Sequence, residues 1–388
     1  MKDGKRKRKL GAALAEIIGE IALTLIAAAI GFGIFKLFGA DGDFIDRNFD
    51  LMVLVGLFVP ILAIAAAVTI LIKICGPKKE QKKTGSDIIL DTDVGADCDD
   101  MMALAYLAYA ERESLISLKA VTHSNSCEHG IPAIRAHLKA HGMNIPVGRA
   151  AGEVAAYDHY ARQVAERFAD GDCYAPADDA VTVLRRALTE SYDATLLAIG
   201  PMTNIAALLE SAPDEASTLC GVSLVLERCK RVVLMAGDFV SGKPEWNVKL
   251  DVGAMKTVLE KCPVPIYILP FECGADMITG AQMLDGSYPE NPTSLAFRLF
   301  PGTKELGGRH SWDPAAALFA VIGDGEYFRV SEPLSVSVDG DGVTRAESNA
   351  RGMHRIISVN VKDGETEAEA KARAAEYIDA CVGKLYFD

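Results

Sequence analysis

No two of the nine cysteines, Cys75, Cys98, Cys127, Cys173, Cys220, Cys229, Cys262, Cys273 and Cys381, are spaced as CxxC or in a zinc-ligand pattern. An odd, scattered set of this kind excludes a disulfide scaffold and reads as free thiols in a reducing compartment. The chain also lacks an excess of positive charge. Its formal net charge is −13, and because basic residues crowd the N-terminal stretch, the acidity falls on the remainder. That balance argues against nucleic acid as a partner. Internal repeats are absent too, which excludes repeat architectures.

What is present in excess is apolar sequence, 50% of the chain. After a basic start, residues 10–38 run apolar except for Glu16, Glu20 and Lys36, and residues 51–72 contain no charge at all. A helix of about 20 apolar residues spans the hydrocarbon core of a bilayer. The two runs therefore predict a membrane hairpin over residues 1–75, its spans at about 10–38 and 51–72, with membrane lipid as a partner. Basic residues flank both outer ends and acidic residues fill the connection, so the positive-inside rule places the rest of the chain on the cytoplasmic side of a two-span cell-membrane protein. The polar stretch 76–86, "GPKKEQKKTGS", reads as a linker.

Beyond it, residues 87–388 alternate short apolar runs with amphipathic stretches, the pattern of a parallel sheet covered by helices. Buried strands are expected at 88–90, 118–122, 195–199, 232–235 and 266–269. Helices are expected at 101–110, 131–140, 181–191, 204–211, 252–261 and 314–322. A hairpin with an Asp-Gly turn is expected within "SVSVDGDGVTRAE", and a last helix at 367–381. The fold class is thus α/β, Rossmann-like and mostly parallel. Ligands of such sheets bind outside the carboxyl ends of the strands, where polar residues collect here: 91–100, 123–126, 200–204 and 237–251.

The first of these loops, "DTDVGADCDD", places five carboxylates in ten positions. Repulsion at such density calls for a cation among them or for protons on some of them. A hard dication with oxygen ligands, such as Ca²⁺, fits that donor set. An EF-hand fails on spacing, because Ala96 stands where Gly is required and Met102 where the bidentate Glu belongs. A haloacid-dehalogenase-type phosphatase, which begins strand-DxD, remains open through Asp91 and Asp93.

"DTDVGADCDDMMAL", "LAIGPMTNIAALL", "VVLMAGDFVSGKPEWNVKLDVGA" and "SWDPAAALFAV" together resemble, in order, the motifs of the inosine-uridine-preferring nucleoside hydrolase family over roughly residues 86–360. The resemblance implies calcium-dependent hydrolysis of the N-glycosidic bond of a ribonucleoside or related riboside. Asp93, Asp100, the backbone carbonyl of Ile199 and Asp313 would hold the Ca²⁺, and Asp99 would be the general base. Glu245 and Asn247 would hold ribose hydroxyls, with Asp251 nearby, and Asn125 would correspond to another ribose contact. Asn204 would cap the helix that follows it, and Asp91 would anchor its loop through backbone N–H groups.

Two departures stand out. "GADCDD" carries two more residues than the simple family motif, and the added Asp97 shares the base assignment with Asp99. Trp312 stands where purine-preferring members often carry a leaving-group histidine; indole does not titrate usefully, so Trp312 joins the substrate contacts and His310 or His123 becomes the candidate acid. A non-catalytic riboside sensor, signalling through the membrane hairpin, is the alternative from another class. Homo-oligomerisation is left open.

Overall fold

The computed structural model describes residues 85–387 apart from 151 and 153, all of them within the compact unit Thr84–Asp388. The expected spans at 10–38 and 51–72 lie outside the described residues. Among the described residues no helix is long and apolar enough to cross a membrane. On that finding the localisation expected from sequence, a two-span membrane protein with a cytoplasmic domain, is corrected, and the lipid partner that followed from it falls with it.

The α/β expectation holds. Strands β1 (Ser86–Thr92), β2 (Ile116–His123), β3 (Val147–Gly148), β4 (Ala194–Ala198), β5 (Cys229–Met235), β6 (Ile266–Leu269), β9 (Phe328–Val330), β10 (Leu334–Val338), β11 (Thr344–Ser348) and β12 (His354–Val359) form one sheet, and β7 (Ile278–Thr279) pairs separately with β8 (Arg309–His310). The large sheet runs β11-β10-β12-β6-β5-β4-β1-β2-β3, with β9 on β12. From β12 through β3 the pairings are parallel. The β10–β11 hairpin closes one edge, antiparallel, with Val338 opposite Thr344.

The helices are α1 (Asp99–Arg112), α2 (Gly130–Ala140), α3 (Ala161–Phe168), α4 (Ala180–Glu190), α5 (Thr203–Glu210), α6 (Gly221–Arg228), α7 (Trp246–Leu250), α8 (Val252–Lys261), α9 (Pro292–Leu299), α10 (Trp312–Ile322) and α11 (Glu367–Phe387), besides shorter turns. They cover both faces of the sheet. Strand side chains alternate accordingly: Ile88, Leu90, Leu197 and Val233 join the core beneath α1, α10 and α11, whereas Ile89, Leu196, Ala198, Val232 and Leu234 join the core beneath α4, α5 and α8. Burial on both faces explains why these strands read as continuous apolar runs.

Helix α1 is buried from Asp99 to Ala110, the condition of a central helix rather than a surface one. Its position fixes the site. The chain leaves β1, crosses to β2 and β3 on one side, then returns to β4 on the other, so β1 and β4 flank the switch point at which α/β sheets bind ligands. The turn from β1 into α1 carries the acidic loop. Gly95 there has φ +108°, and a side chain would bring its Cβ to 2.7 Å from the Tyr157 carbonyl oxygen, so only glycine fits.

Candidate active site

At the carboxyl ends of β1, β4 and β5 lies a cavity of about 340 Å³, lined by the acidic loop, Ile199, the segment Glu245–Asn247, and a wall of Phe271, Phe300, Arg309 and Trp312. It brings together Asp93, Asp97, Asp99, Asp100, Ile199, Glu245, Asn247, Trp312 and Asp313, all of the expected metal ligands and base candidates and every expected substrate contact except Asn125.

Asp93, Asp99, Asp100 and Asp313 are buried. One carboxylate oxygen each from Asp99, Asp100 and Asp313 lies within 4.8 Å of the others. Asp100 Oδ1 accepts from Thr92 Oγ1 and, at 3.1 Å, from the Asp93 N–H; its buried Oδ2 has no hydrogen-bond partner. Burial, then the mutual repulsion of these groups, pushes all four carboxyls well above the usual range. An orphaned carboxylate oxygen beside two more is the donor set a hard cation needs, so the residues present fit a divalent ion.

Asp99 is held differently. Its Oδ2 accepts at 3.1 Å from the N–H of Trp312 and at 3.1 Å from that of Asp313, two free donors in the first turn of α10. Asp97, two residues earlier, is engaged by Arg309: Nε donates to both oxygens, at 2.9 and 3.1 Å, and Nη2 donates to Oδ2. Burial works against the charge on Arg309, but Asp97, joined by Asp99, outweighs it and holds the guanidinium above its ordinary value. No local sequence pattern links residues 97 and 309. The one available signal is a basic residue three positions before Trp312.

Glu245 caps α7, its two oxygens accepting from the N–H groups of Asn247, Val248 and Gly237 at 2.9, 3.1 and 3.2 Å. Burial raises its pKa to about 7 against those bonds. Asn247 Nδ2 donates to the Ile199 carbonyl at 3.0 Å and to that of Met235 at 3.1 Å, tying together the ends of β4 and β5. Trp312 donates from Nε1 to the Phe271 carbonyl at 2.9 Å and stacks on that ring, centroids 5.4 Å apart.

Asn125 is the exception. Its Nδ2 donates to the carbonyls of Tyr157, Asp93 and Val94, and its Oδ1 accepts from the N–H of Cys127 and Tyr157. It pins two loops together and lines a smaller recess with Asp251, not the main cavity. Asp251 itself caps α8 through the Ala254 N–H. Asn204 is no cap: Met202 holds that position, and Asn204 donates to Asp91 at 2.7 Å. Asp91 anchors through side chains rather than backbone, accepting from Thr122 as well, its register partner on β2. Asp91 does not line the cavity, which removes the Asp91–Asp93 pair that a phosphatase would use.

Neither expected histidine reaches the cavity. His123 is buried against Gly130, with Nε2 2.9 Å from the Val94 carbonyl and its pKa lowered to about 4 by burial. His310 Nδ1 accepts from the Asp276 N–H at 2.9 Å and is not part of the lining. Among the described residues no histidine lines the cavity, and Arg309 is the single basic residue that does.

The model of the family "Inosine-uridine preferring nucleoside hydrolase" matches residues 88–381. Similar solved structures include the inosine-uridine preferring nucleoside hydrolase of Bacillus anthracis, 18% identical, with 77% of this chain and 99% of that one covered and a TM-score of 0.57. The purine-preferring ribonucleoside hydrolase of Gardnerella vaginalis is 18% identical, covering 76% and 99%, TM-score 0.57. The type III effector XopQ, solved with adenosine diphosphate ribose, is 16% identical, covering 83% and 97%, TM-score 0.56. An uncharacterised Schizosaccharomyces pombe protein, C1683.06c, is 32% identical over 95 residues, 23% of this chain; the match spans 27% of that protein's length. With the family model covering most of the domain, the chain belongs to the inosine-uridine preferring nucleoside hydrolase family, metal-dependent hydrolases that act on N-glycosyl bonds.

Proposed function

We propose that this protein hydrolyses the N-glycosidic bond of a ribonucleoside or related riboside, with Ca²⁺ held by Asp93, Asp100, Asp313 and the Ile199 carbonyl. The observation that carries the reading is the orphaned, buried Oδ2 of Asp100 beside Asp99 and Asp313 in the cavity. A dication among these carboxylates lowers the pKa of a water that it polarises.

Asp99 takes the proton of the attacking water. The two N–H groups of α10 fix one of its oxygens, so the base is held in one orientation. The oxygen then bonds to the anomeric carbon as the bond to the base breaks. Carboxylates around the sugar favour the oxocarbenium-like transition state. Glu245 and Asn247 bind ribose hydroxyls, each already held in place by its own backbone contacts. The apolar wall of Trp246, Phe271, Phe300 and Trp312 takes the planar base and keeps water from it.

Two substitutions separate these roles. Asp100→Ala removes both the calcium-induced rise in thermal midpoint and the activity. Asp99→Asn keeps that rise and slows turnover by about 10²- to 10⁴-fold. An Asp99→Asn enzyme of undiminished rate would contradict the base assignment.

A further inference from the structure

Among the described residues no histidine, tyrosine, cysteine or lysine lines the cavity, and its carboxyls are already assigned to the metal, the attacking water, the α7 cap and Arg309. It contains instead one guanidinium, and three observations define its setting. Asp97 takes Nε and Nη2 of Arg309 in a fork, the bidentate geometry that fixes a guanidinium plane. The Arg309 Cζ lies 4.9 Å from the centroid of Phe300 and 5.2 Å from that of Trp312, so two rings that wall the cavity also flank the cation. Nη1, the third guanidinium nitrogen, donates to no protein atom among the described residues, while Arg309 itself lines the cavity.

We infer that Arg309 is a catalytic residue for leaving-group departure: its guanidinium donates a hydrogen bond to the negative charge that collects on the base as the glycosidic bond breaks, with Asp97 as its positioning residue. The inference rests on the hydrolase reading above. In the step, the C–N electron pair passes to the ring nitrogen of the base and spreads over its acceptor atoms. Water oxygen bonds to the anomeric carbon and its proton goes to Asp99. Arg309 keeps its proton throughout; solvent water supplies the one that neutralises the departing base. Electrostatic stabilisation of this kind does not require a titrating acid, and Arg is the side chain that stays cationic while partly buried.

The same geometry accounts for the two-residue insertion in the acidic loop. The insertion brings in Asp97, and among the described residues Asp97 is the only carboxylate bonded to Arg309. Without it the guanidinium would have no fixed plane and would be drawn toward Asp99, whose charge also acts on it.

The test compares leaving groups. The full chain with Ca²⁺ is assayed on the best nucleoside of a broad panel and on p-nitrophenyl β-D-riboside, whose phenolate leaves without help. Arg309→Gln slows the nucleoside by about 100-fold and the nitrophenyl riboside by no more than about threefold, the range for loss of one transition-state donor. Arg309→Lys, which keeps the charge without the fork, falls between, and Asp97→Asn repeats the selective loss more weakly with KM unchanged. Circular dichroism of each variant reports its folding, and the ratio of the two rates is read within one protein sample, so partial misfolding cancels. Equal loss on both ribosides, or no loss on either, overturns the inference while leaving the hydrolase reading intact. A wild-type protein that cleaves neither overturns both.

Discussion

Asp97, Asp99 and Asp100 are close neighbours in the chain and meet three different partners: a guanidinium 212 residues away, the first N–H groups of a distant helix, and a threonine hydroxyl. Away from the site, Asp379 accepts from the Gly280 N–H at 2.9 Å, and burial raises its pKa to about 6. A raised carboxyl pKa contributes stability that is fully present below the unfolded value of 3.8 and is lost as pH rises through about 6. Asp379→Asn keeps the acceptor and sheds the charge, so at about pH 8 the variant is more stable by about 1 kcal/mol, with the gain vanishing only below about pH 4. Denaturant melts at the two pH values check this; a gain equal at both would contradict it. In the site, the carboxylate cluster of the first loop was legible because its members are neighbours in sequence and their repulsion calls for a cation or for protons among them. The division of labour among them was not, because Arg309 and the start of α10 reach the loop only through the tertiary fold. The same holds for Asn125 and His123, polar residues at a strand end whose side chains satisfy loop carbonyls.

At the scale of elements, the strands that carry the site were readable from their apolar runs, and each was extended, moved by a residue or left unchanged at its bounds. β12 escaped because His354, Arg355 and Ser358 interrupt its pattern, and its partner β6 lies far back in the chain, so no local period marks it. Helix α3 escaped for a different reason: only Ala161, Val164 and Ala165 of it are buried. The residue before it, Tyr160, is fully buried. Its hydroxyl accepts from the Gly95 N–H at 3.0 Å and donates to the Asp97 carbonyl at 2.7 Å. That clamp holds the acidic loop against its own charge repulsion. Tyr160→Phe leaves a buried N–H and a carbonyl without partners, which costs about 1 to 3 kcal/mol. Calcium affinity falls with it, because the loop is less ordered before the ion arrives. Isothermal titration and thermal melts measure both effects; unchanged affinity would mean that the loop does not need the clamp.

For the whole molecule, one topological rule, that ligands bind where strand order reverses, located the cavity before any side chain was placed. The rule works here because burial on both faces of the sheet leaves the strand ends as the only places where polar side chains can gather without disturbing either core. What it could not supply is the far wall. Phe271, Phe300, Arg309 and Trp312 come from segments that follow the last readable strand of the parallel series, and their approach to the acidic loop is a property of the folded chain. The two apolar runs before residue 85 were equally plain in the sequence, yet the membrane localisation drawn from them finds no spanning helix among the described residues.

The central claim is that this cavity breaks an N-glycosidic bond with a metal ion among its carboxylates. The buried Oδ2 of Asp100 has no hydrogen-bond partner and lies beside carboxylate oxygens of Asp99 and Asp313, the donor set that the proposed ion would take up. The most direct measurement is product release by the full chain from a nucleoside panel, with free base and ribose quantified together, before chelation, after it, and after Ca²⁺ is restored. The account predicts base and ribose in equal amounts, loss of both on chelation, and recovery with Ca²⁺. Undiminished hydrolysis after chelation would contradict the metal site, and calcium-saturated protein that releases no base from any nucleoside would contradict the hydrolase reading itself.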